Sequence, residues 1–380
     1  MRKTAILILA ACAAAAVSCV YPYEADLNAE AREYLVVEGE IVPGEVSDIS
    51  VSYMLPLSTV EVVSVSYPEA EISVESGSGA VYKGVHESKM NYTVDLSDAP
   101  MDDTYRLRIK NVDNSKTYSS EWMQALNPCR IDSVFWHIDE DAATLSVRAS
   151  VTGRDSRYFR YKYVEDWEFH STLRASLYYD VEKDTLMRFE GNENTYFCWR
   201  HDESRGLLPV STAEVAENKV VGYELTSFGS QDDRAQMLYR IDLTVYPISE
   251  DSYRYYDHLN SVSQYSGSLF EPNPSEMRGN LRCDDDPDEM VIGYVGVCRG
   301  STLRTYIDNG DTGFYDQPYV YYATEVVDRE EWSNYYTFKN WRPVYGDIHM
   351  GYTWAGRACV DCRYSGGSKT VPDGWPNGHI

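Results

Sequence analysis

Apolar and polar residues alternate with a period of two along much of this chain. The clearest case is the stretch 104–111, TYRLRIKN, in which apolar side chains alternate with three basic ones. Turn residues such as Pro43-Gly44 and Gly77-Ser78-Gly79 separate the alternating stretches. Alternation with charged partners is typical of half-buried antiparallel strands. We therefore predict a mainly β fold that begins, over residues 34–127, with an immunoglobulin-like β-sandwich.

A second, larger antiparallel β-rich domain is predicted over residues 128–380. Asn127-Pro128 provides a plausible boundary, and period-two alternation resumes at 145–149, 159–163 and 241–245. The apolar stretch Met290–Val297 predicts one strand that is buried on both faces. The last thirty residues are rich in Gly, Trp and Pro and predict an irregular but packed tail.

One helix is predicted near 250–265, within this second domain. Ser249 can cap its N-terminus, and Glu250 and Asp251 lie where the helix dipole favours acidic residues. Tyr255, Leu259 and Val262 fall on one stripe of such a helix, which provides an apolar face for packing.

The first nineteen residues have the pattern of a lipoprotein signal peptide. Arg2 and Lys3 precede an apolar run from residue 4 to 17, and Ala16-Val17-Ser18-Cys19 ends it with small residues before a cysteine. We predict a signal peptide at 1–18, lipidation of Cys19 and a tether at 19–33. Cleavage before Cys12 would leave too short an apolar run, and a transmembrane anchor needs about 20 apolar residues.

Composition narrows the classes of function. The formal charge of −26 becomes −28 when Arg2 and Lys3 leave with the signal peptide. Such a surface repels nucleic-acid phosphates and anionic headgroups, so we expect no nucleic-acid partner. The chain contains 33 Tyr and 8 Trp. Most of these aromatic residues suit sheet cores, and a minority can line a ligand surface.

Six cysteines remain in the predicted mature chain, and an even number in an exported protein indicates disulfides. These candidates are Cys129, Cys198, Cys283, Cys298, Cys359 and Cys362. The sequence does not choose among the roughly 15 pairings of six thiols. Two local pairings, Cys283 with Cys298 and Cys359 with Cys362, are the simplest guesses.

Two cysteine motifs have the spacing of catalytic or metal-binding sites. In both cases the surrounding sequence favours a structural role. Gly296-Val-Cys298-Arg-Gly300 has the spacing of a nucleophile elbow, but the alternating stretch 301–307 predicts a strand where the elbow requires a helix. Cys359-Val-Asp-Cys362 has the spacing of a redox pair or half a zinc site, without a second half. An exported protein favours a structural disulfide there.

The charged clusters predict no catalytic residue, cofactor or metal site. The run Asp284–Glu289 offers oxygen ligands for Ca²⁺ but lacks the glycine and the spacing of a calcium loop. Glu165, Asp166, Glu168 and His170 surround Trp167, but on a strand the first two point to opposite faces. Four late tryptophans are candidates for a ligand surface, although core packing is the more common role: Trp332, Trp341, Trp354 and Trp375.

Several motifs together resemble a known family, the Bacteroidetes outer-membrane lipoproteins grouped as domain-of-unknown-function family 4249. The motifs are Cys19 with Pro22-Tyr23, Leu35–Gly39, Tyr161–Glu168, Ser266–Phe270 leading to Gly279-Asn280, Val291–Tyr294, and Cys359–Arg363 with Trp375-Pro376. The resemblance covers nearly the whole predicted mature chain. It implies an outer-membrane lipoprotein that is often encoded beside TonB-dependent transporters, and it brings no established activity.

Three functional hypotheses follow. The leading one is a non-enzymatic, surface-exposed outer-membrane lipoprotein that acts as an accessory or ligand-binding partner of a TonB-dependent transporter. The second is a glycan-binding or adhesive surface lipoprotein that acts alone. The third, a secreted hydrolase, would depend on Cys298 as nucleophile.

Overall fold

The N-terminal part of the chain forms strands where apolar and polar residues alternate. The computed structural model describes residues 34–54, 67–190, 195–204, 208–265, 279–315 and 324–376, so the predicted signal peptide, Cys19 and the whole predicted tether lie outside the described residues. The first eight strands are β1 (Tyr34–Ile41), β2 (Val46–Met54), β3 (Ala70–Ser76), β4 (Val81–Ser88), β5 (Asn91–Asp95), β6 (Thr104–Asn111), β7 (Thr117–Ser120) and β8 (Met123–Gln124).

The middle of the chain continues the β pattern, and a long helix follows it. The strands are β9 (Arg130–Asp139), β10 (Thr144–Thr152), β11 (Tyr158–His170), β12 (Leu177–Asp180), β13 (Thr185–Arg188), β14 (Phe197–Glu203), β15 (Leu208–Ser211), β16 (Lys219–Gly229) and β17 (Leu238–Ile248). The helix α1 spans Glu250–Tyr265, as predicted. The Ser249 hydroxyl accepts a hydrogen bond from the Ser252 amide (3.1 Å), which is the predicted N-cap.

The remainder contains short strands and helical turns. The strands are β18 (Leu281–Cys283), β19 (Val291–Ile292), β20 (Val295–Val297), β21 (Ser301–Asp308), β22 (Thr324–Val327), β23 (Trp341–Asp347) and β24 (Gly351–Gly356). Short helices follow or separate them: α2 (Asn309–Thr312), α3 (Trp332–Thr337) and α4 (Arg357–Val360). Single 3₁₀ turns lie at Asp233–Ala235, Arg329–Glu331 and Cys362–Ser365. Among the described residues, no helix is long and apolar enough to cross a membrane.

Eleven strands form the first sheet, which folds over a single core and fits the predicted sandwich. Their order is β18-β7-β6-β3-β4-β5-β2-β1-β19, with β20 beside β1 and β8 beside β6. On β6 the apolar side chains are fully buried, whereas Arg106 points outward and forms an ion pair with Glu75 of β3 (2.6 Å). This is the alternation that the sequence predicted.

Three strands of this sheet come from far along the chain, so the predicted boundary at 127/128 does not separate its strands. β19 and β20 run parallel to β1, and β18 pairs with β7 at the opposite end. These three strands cover the edges of β1 and β7, which residues 34–127 alone would leave unpaired. An uncovered strand edge is a site of aggregation.

The stretch Met290–Val297 forms two short strands, where the sequence predicted one long strand. Gly293 lies between them with φ of 102°, a left-handed conformation that favours glycine. A Cβ atom at this position would lie 2.0 Å from the Val37 carbonyl oxygen of β1. The chain therefore bends at Gly293 to stay close against β1.

The second β unit packs two sheets face to face. One has the order β16-β10-β9, and the other has the order β14-β11-β17-β21 with β15 beside β11. Their inner faces share one core, which includes the fully buried Val147, Phe159 and Leu243. A smaller sheet, β22-β24-β23, and the hairpin β12-β13 complete the C-terminal part.

One disulfide ties the C-terminal segment to this unit. It joins Cys198 of β14 to Cys362, with the Cα atoms 5.8 Å apart. Cys129, Cys283, Cys298 and Cys359 are free thiols. Both local pairings suggested by the sequence are therefore wrong. Cys283 lies on β18 and Cys298 follows β20, at opposite ends of the first sheet, while Cys362 faces Cys198 instead of Cys359.

Replacing both Cys198 and Cys362 with Ser should lower the free energy of unfolding by about 4 kcal/mol, because the bond closes a long loop in the unfolded chain. The two cysteines are 164 residues apart. Urea denaturation measures the change. Cys359→Ser is the matched control and should have little effect. A non-reduced peptide map that links Cys359 to Cys362 would contradict the pairing.

Candidate functional site

A buried carboxylate joins the first sheet to the second β unit. Glu40 lies near the end of β1, and its side chain is 7% exposed. Glu40 Oε1 accepts a hydrogen bond from Arg160 Nη2 of β11 (2.6 Å), and Glu40 Oε2 lies 3.5 Å from Cys298 Sγ. Because side chains alternate along β1, the apolar Val37 and Ile41 enter the sheet core while Glu40 faces the second unit.

Arg160 is held between aromatic rings on its own side of the junction. Its guanidinium carbon lies 5.4 Å from the ring centre of Tyr246 on β17 and 5.1 Å from that of Tyr256 on α1. Arg160 Nη1 also donates to the Tyr256 hydroxyl (3.3 Å). Cation–π contacts of this kind compensate part of the cost of burying the guanidinium.

The pKa of Glu40 is raised above its ordinary value. Burial is the main cause, because it disfavours the charged form, and Arg160 and the Cys298 thiol oppose it by favouring the carboxylate. The ion pair at the junction therefore carries a desolvation cost that the arginine offsets only in part.

Cys298 is not poised as a nucleophile. A strand, β21, follows the motif as the sequence predicted, so the thiol lacks the helix N-terminus of an elbow. Burial, and then the neighbouring Glu40 carboxylate, raise the pKa of the thiol well above its ordinary value. The thiol is 1% exposed and donates to Glu40. A reactive cysteine needs the opposite surroundings, a positive and partly exposed site.

The two glycines of this motif make room for the junction. A Cβ atom at Gly296 would lie 2.1 Å from Glu40 Oε2, and one at Gly300 would lie 2.9 Å from the ring of Tyr246. The residues that suggested a catalytic elbow are therefore explained by packing around the ion pair.

Beside the ion pair, an open polar cleft of about 580 Å³ separates the two units. One wall comes from β1 and β2 and carries the exposed carboxylates Glu38 and Asp48. The other comes from β11, β17 and β21 and carries Lys162, Thr244 and Thr302. Its volume lies within the range of small-molecule sites.

A second, smaller cavity of about 300 Å³ lies near the N-terminus of α1. Apolar side chains form much of its lining, among them Met123, Leu126 and Ile248. It contacts both units but offers fewer polar groups than the cleft.

Two acidic residues of β11, Glu165 and Asp166, take part in structural ion pairs. Asp166 accepts from Arg240 Nη2 (2.6 Å) and contacts His201 Nδ1 (3.0 Å). Glu165 accepts from the Tyr239 hydroxyl and lies 3.6 Å from Arg234. The two carboxylates thus point to opposite faces, as the sequence predicted, and do not form a catalytic pair.

The acidic run 284–289 forms hydrogen bonds with strand β7. Asp284 accepts from the Ser119 hydroxyl (2.6 Å), and Glu289 accepts from the Tyr118 hydroxyl (2.6 Å). Within the described ranges, no group of three or more His, Cys, Asp or Glu side chains has the geometry to hold a metal ion.

The late tryptophans fill cores more than they form a surface. Trp354 is fully buried, and Trp332 and Trp375 are 7% and 8% exposed. Trp341 is half-buried and contacts Tyr335, with ring centres 5.6 Å apart. Three of the four candidates for a ligand surface therefore lack the exposure that stacking on a ligand needs.

Glu40, Arg160 and the cleft have only a weak signature in the sequence. Glu40 is an acidic residue at a strand end, and Arg160 is one of two cations within an aromatic strand. Only the packing of distant strands brings these residues together.

Comparison with known proteins gives a family but no activity. The model of a family described as a domain of unknown function (DUF4249) matches residues 20–304. No curated protein matches the chain. Among solved structures, the chain is similar to trypsin-activated alpha-2-macroglobulin from Escherichia coli, at 12% identity and a TM-score of 0.17. That match covers 58% of this chain and 15% of the other, and at this TM-score it carries no argument.

Replacing Arg160 with Met should lower the free energy of unfolding by about 3 kcal/mol at pH 8, because Glu40 then stays buried without its cation. Burial raises the pKa of Glu40, so the folded state binds this proton more tightly than the unfolded state does. The contribution of this bound proton to the free energy of unfolding is complete below the ordinary pKa of glutamate. It is lost as pH rises through the folded-state pKa of Glu40.

The loss in this Arg160→Met variant should therefore be smaller at pH 5 than at pH 8, as measured by urea denaturation at both values. Adding Glu40→Gln should restore much of the stability at pH 8, because the isosteric amide carries no charge. Equal losses at both pH values would mean that Glu40 is not the source of the effect.

Replacing Gly296 with Ala should destabilise the fold by about 2 kcal/mol, since the new methyl group overlaps the Glu40 carboxylate. The shift in thermal midpoint measures this effect. Gly356→Ala is the control, because a Cβ atom there meets no atom within 4 Å. Similar midpoints for the two variants would argue against a crowded junction.

Proposed function

The chain belongs to the family described as a domain of unknown function, and from this premise we propose that it is a non-enzymatic lipoprotein of the outer membrane. In this proposal, Cys19 carries the lipid, and residues 19–33 hold the body at the cell surface. The basis is the charged start, the apolar run and the small residues before Cys19. Two or three acyl chains give stable anchoring, because each buried CH₂ contributes about 0.8 kcal/mol.

We further propose that the body acts as an accessory or ligand-binding partner of a TonB-dependent transporter. The observation that supports a binding role is the polar cleft of about 580 Å³ at the junction of the two units. Its charged side chains come from both units, and the Glu40–Arg160 contact fixes one wall against the other. The transporter as partner rests on the resemblance of the sequence to outer-membrane lipoproteins.

The alternative of a glycan-binding lipoprotein that acts alone receives less support. It relied on exposed tryptophans, and three of the four are buried. The hydrolase alternative relied on Cys298, whose thiol is buried beside a carboxylate.

Affinity purification of the tagged full-length protein from detergent-solubilised outer membranes should recover a TonB-dependent transporter. Mass spectrometry identifies the partners and should also find a diacylglycerol-modified Cys19 at the mature N-terminus. A tagged, unrelated outer-membrane lipoprotein from the same cells is the control. If no transporter is enriched over this control while other known complexes stay intact, the partnership is refuted. An unmodified, uncleaved N-terminus would refute the anchor.

A further inference from the structure

We propose that the junction cleft binds a short peptide with free termini, its ammonium group at Glu38 and its carboxylate at Lys162. This inference rests on the proposed ligand-binding role and adds the chemical class of the ligand. It is carried by two opposite charges that line one cleft from facing walls.

The arrangement follows from strand geometry. Glu38 lies two residues before Glu40 on β1, and Lys162 lies two residues after Arg160 on β11. Side chains two residues apart on a strand point to the same face. Glu38 and Lys162 thus lie on the same strand faces as the Glu40–Arg160 ion pair, and both line the cleft.

Glu38 and Lys162 do not form an ion pair with each other. Glu38 and Lys162 are exposed and both line the cleft. Neither forms an ion pair with any residue in the part of the chain that the structure describes, and the same holds for Asp48 beside Glu38. The other two acids of the cleft are occupied, because Glu40 binds Arg160 and Glu45 binds Arg299 (2.8 Å).

A ligand that satisfies this cleft must carry both signs of charge. An anion alone would meet Glu38 and Asp48, and a cation alone would meet Lys162. A neutral sugar would use the hydroxyl groups of Thr244 and Thr302 but would leave the charges unused. A zwitterionic peptide can pair with both walls through its two termini, and its amide groups can bond the Thr244 and Thr302 hydroxyls, which lie 2.9 Å from each other.

Isothermal titration calorimetry of the detergent-purified full-length protein with trialanine tests the proposal. Trialanine should bind, and N-acetylated, C-amidated trialanine should bind at least about tenfold more weakly, because it lacks both charges. Lys162→Met and Glu38→Gln should each weaken binding by about fivefold, in keeping with partly exposed ion pairs. Binding should also weaken as salt is raised from low to physiological concentration.

The matched controls are Lys83→Met and Glu217→Gln, which remove exposed charges outside the cleft and should leave the affinity unchanged. The proposal is overturned if trialanine gives no binding, if the blocked peptide binds equally well, or if the control variants weaken binding as much as the cleft variants do. Binding of maltotriose in place of trialanine would assign the cleft to glycans. Recovery of a transporter from the membrane is a separate result, so its failure and the failure of peptide binding are distinguishable.

Discussion

The buried ion pair between Glu40 and Arg160 is the contact on which the arrangement of the two β units depends. Removing a carboxylate and a guanidinium from water costs several kcal/mol per ion, and the mutual attraction repays this only when the geometry and the remaining hydrogen bonds are good. Here Tyr246 and Tyr256 flank the guanidinium, and the Cys298 thiol donates to the carboxylate. The partners come from different units, so these contacts form only when the units dock in one orientation.

The cleft is a consequence of the same contact. Because β1 and β11 meet at Glu40 and Arg160, the side chains two residues away on each strand are held at a fixed separation across the open space. A site on two strands of a rigid scaffold is better preorganised than one on loops, which lowers the cost of ordering it when a ligand binds. The position of the ion pair therefore determines both the orientation of the units and the spacing of the charges in the cleft.

Local patterns in the sequence predicted the elements whose character is set by nearby residues. The alternation of residues 104–111 predicted β6, and Ser249 with the two acidic residues after it predicted the start of α1. Non-local features were not predictable in the same way. The Cys198–Cys362 bond joins residues 164 positions apart, and the bend at Gly293 is needed only because β1 lies against it. The cleft depends on two strands 120 residues apart, and no local period records their meeting.

The segment 296–300 has the spacing of a catalytic motif, but its position in the fold gives it a structural role. It connects β20 of the first sheet directly to β21 of the second unit, so it must pass the ion pair at close range. Small residues at 296 and 300 leave that space, and a thiol at 298 gives Glu40 a second partner, besides Arg160, without adding a charge. A thiolate at this position would face the carboxylate in a buried site, and like charges there disfavour ionisation. Burial, together with the carboxylate that joins the units, therefore raises the pKa of the Cys298 thiol and keeps it protonated.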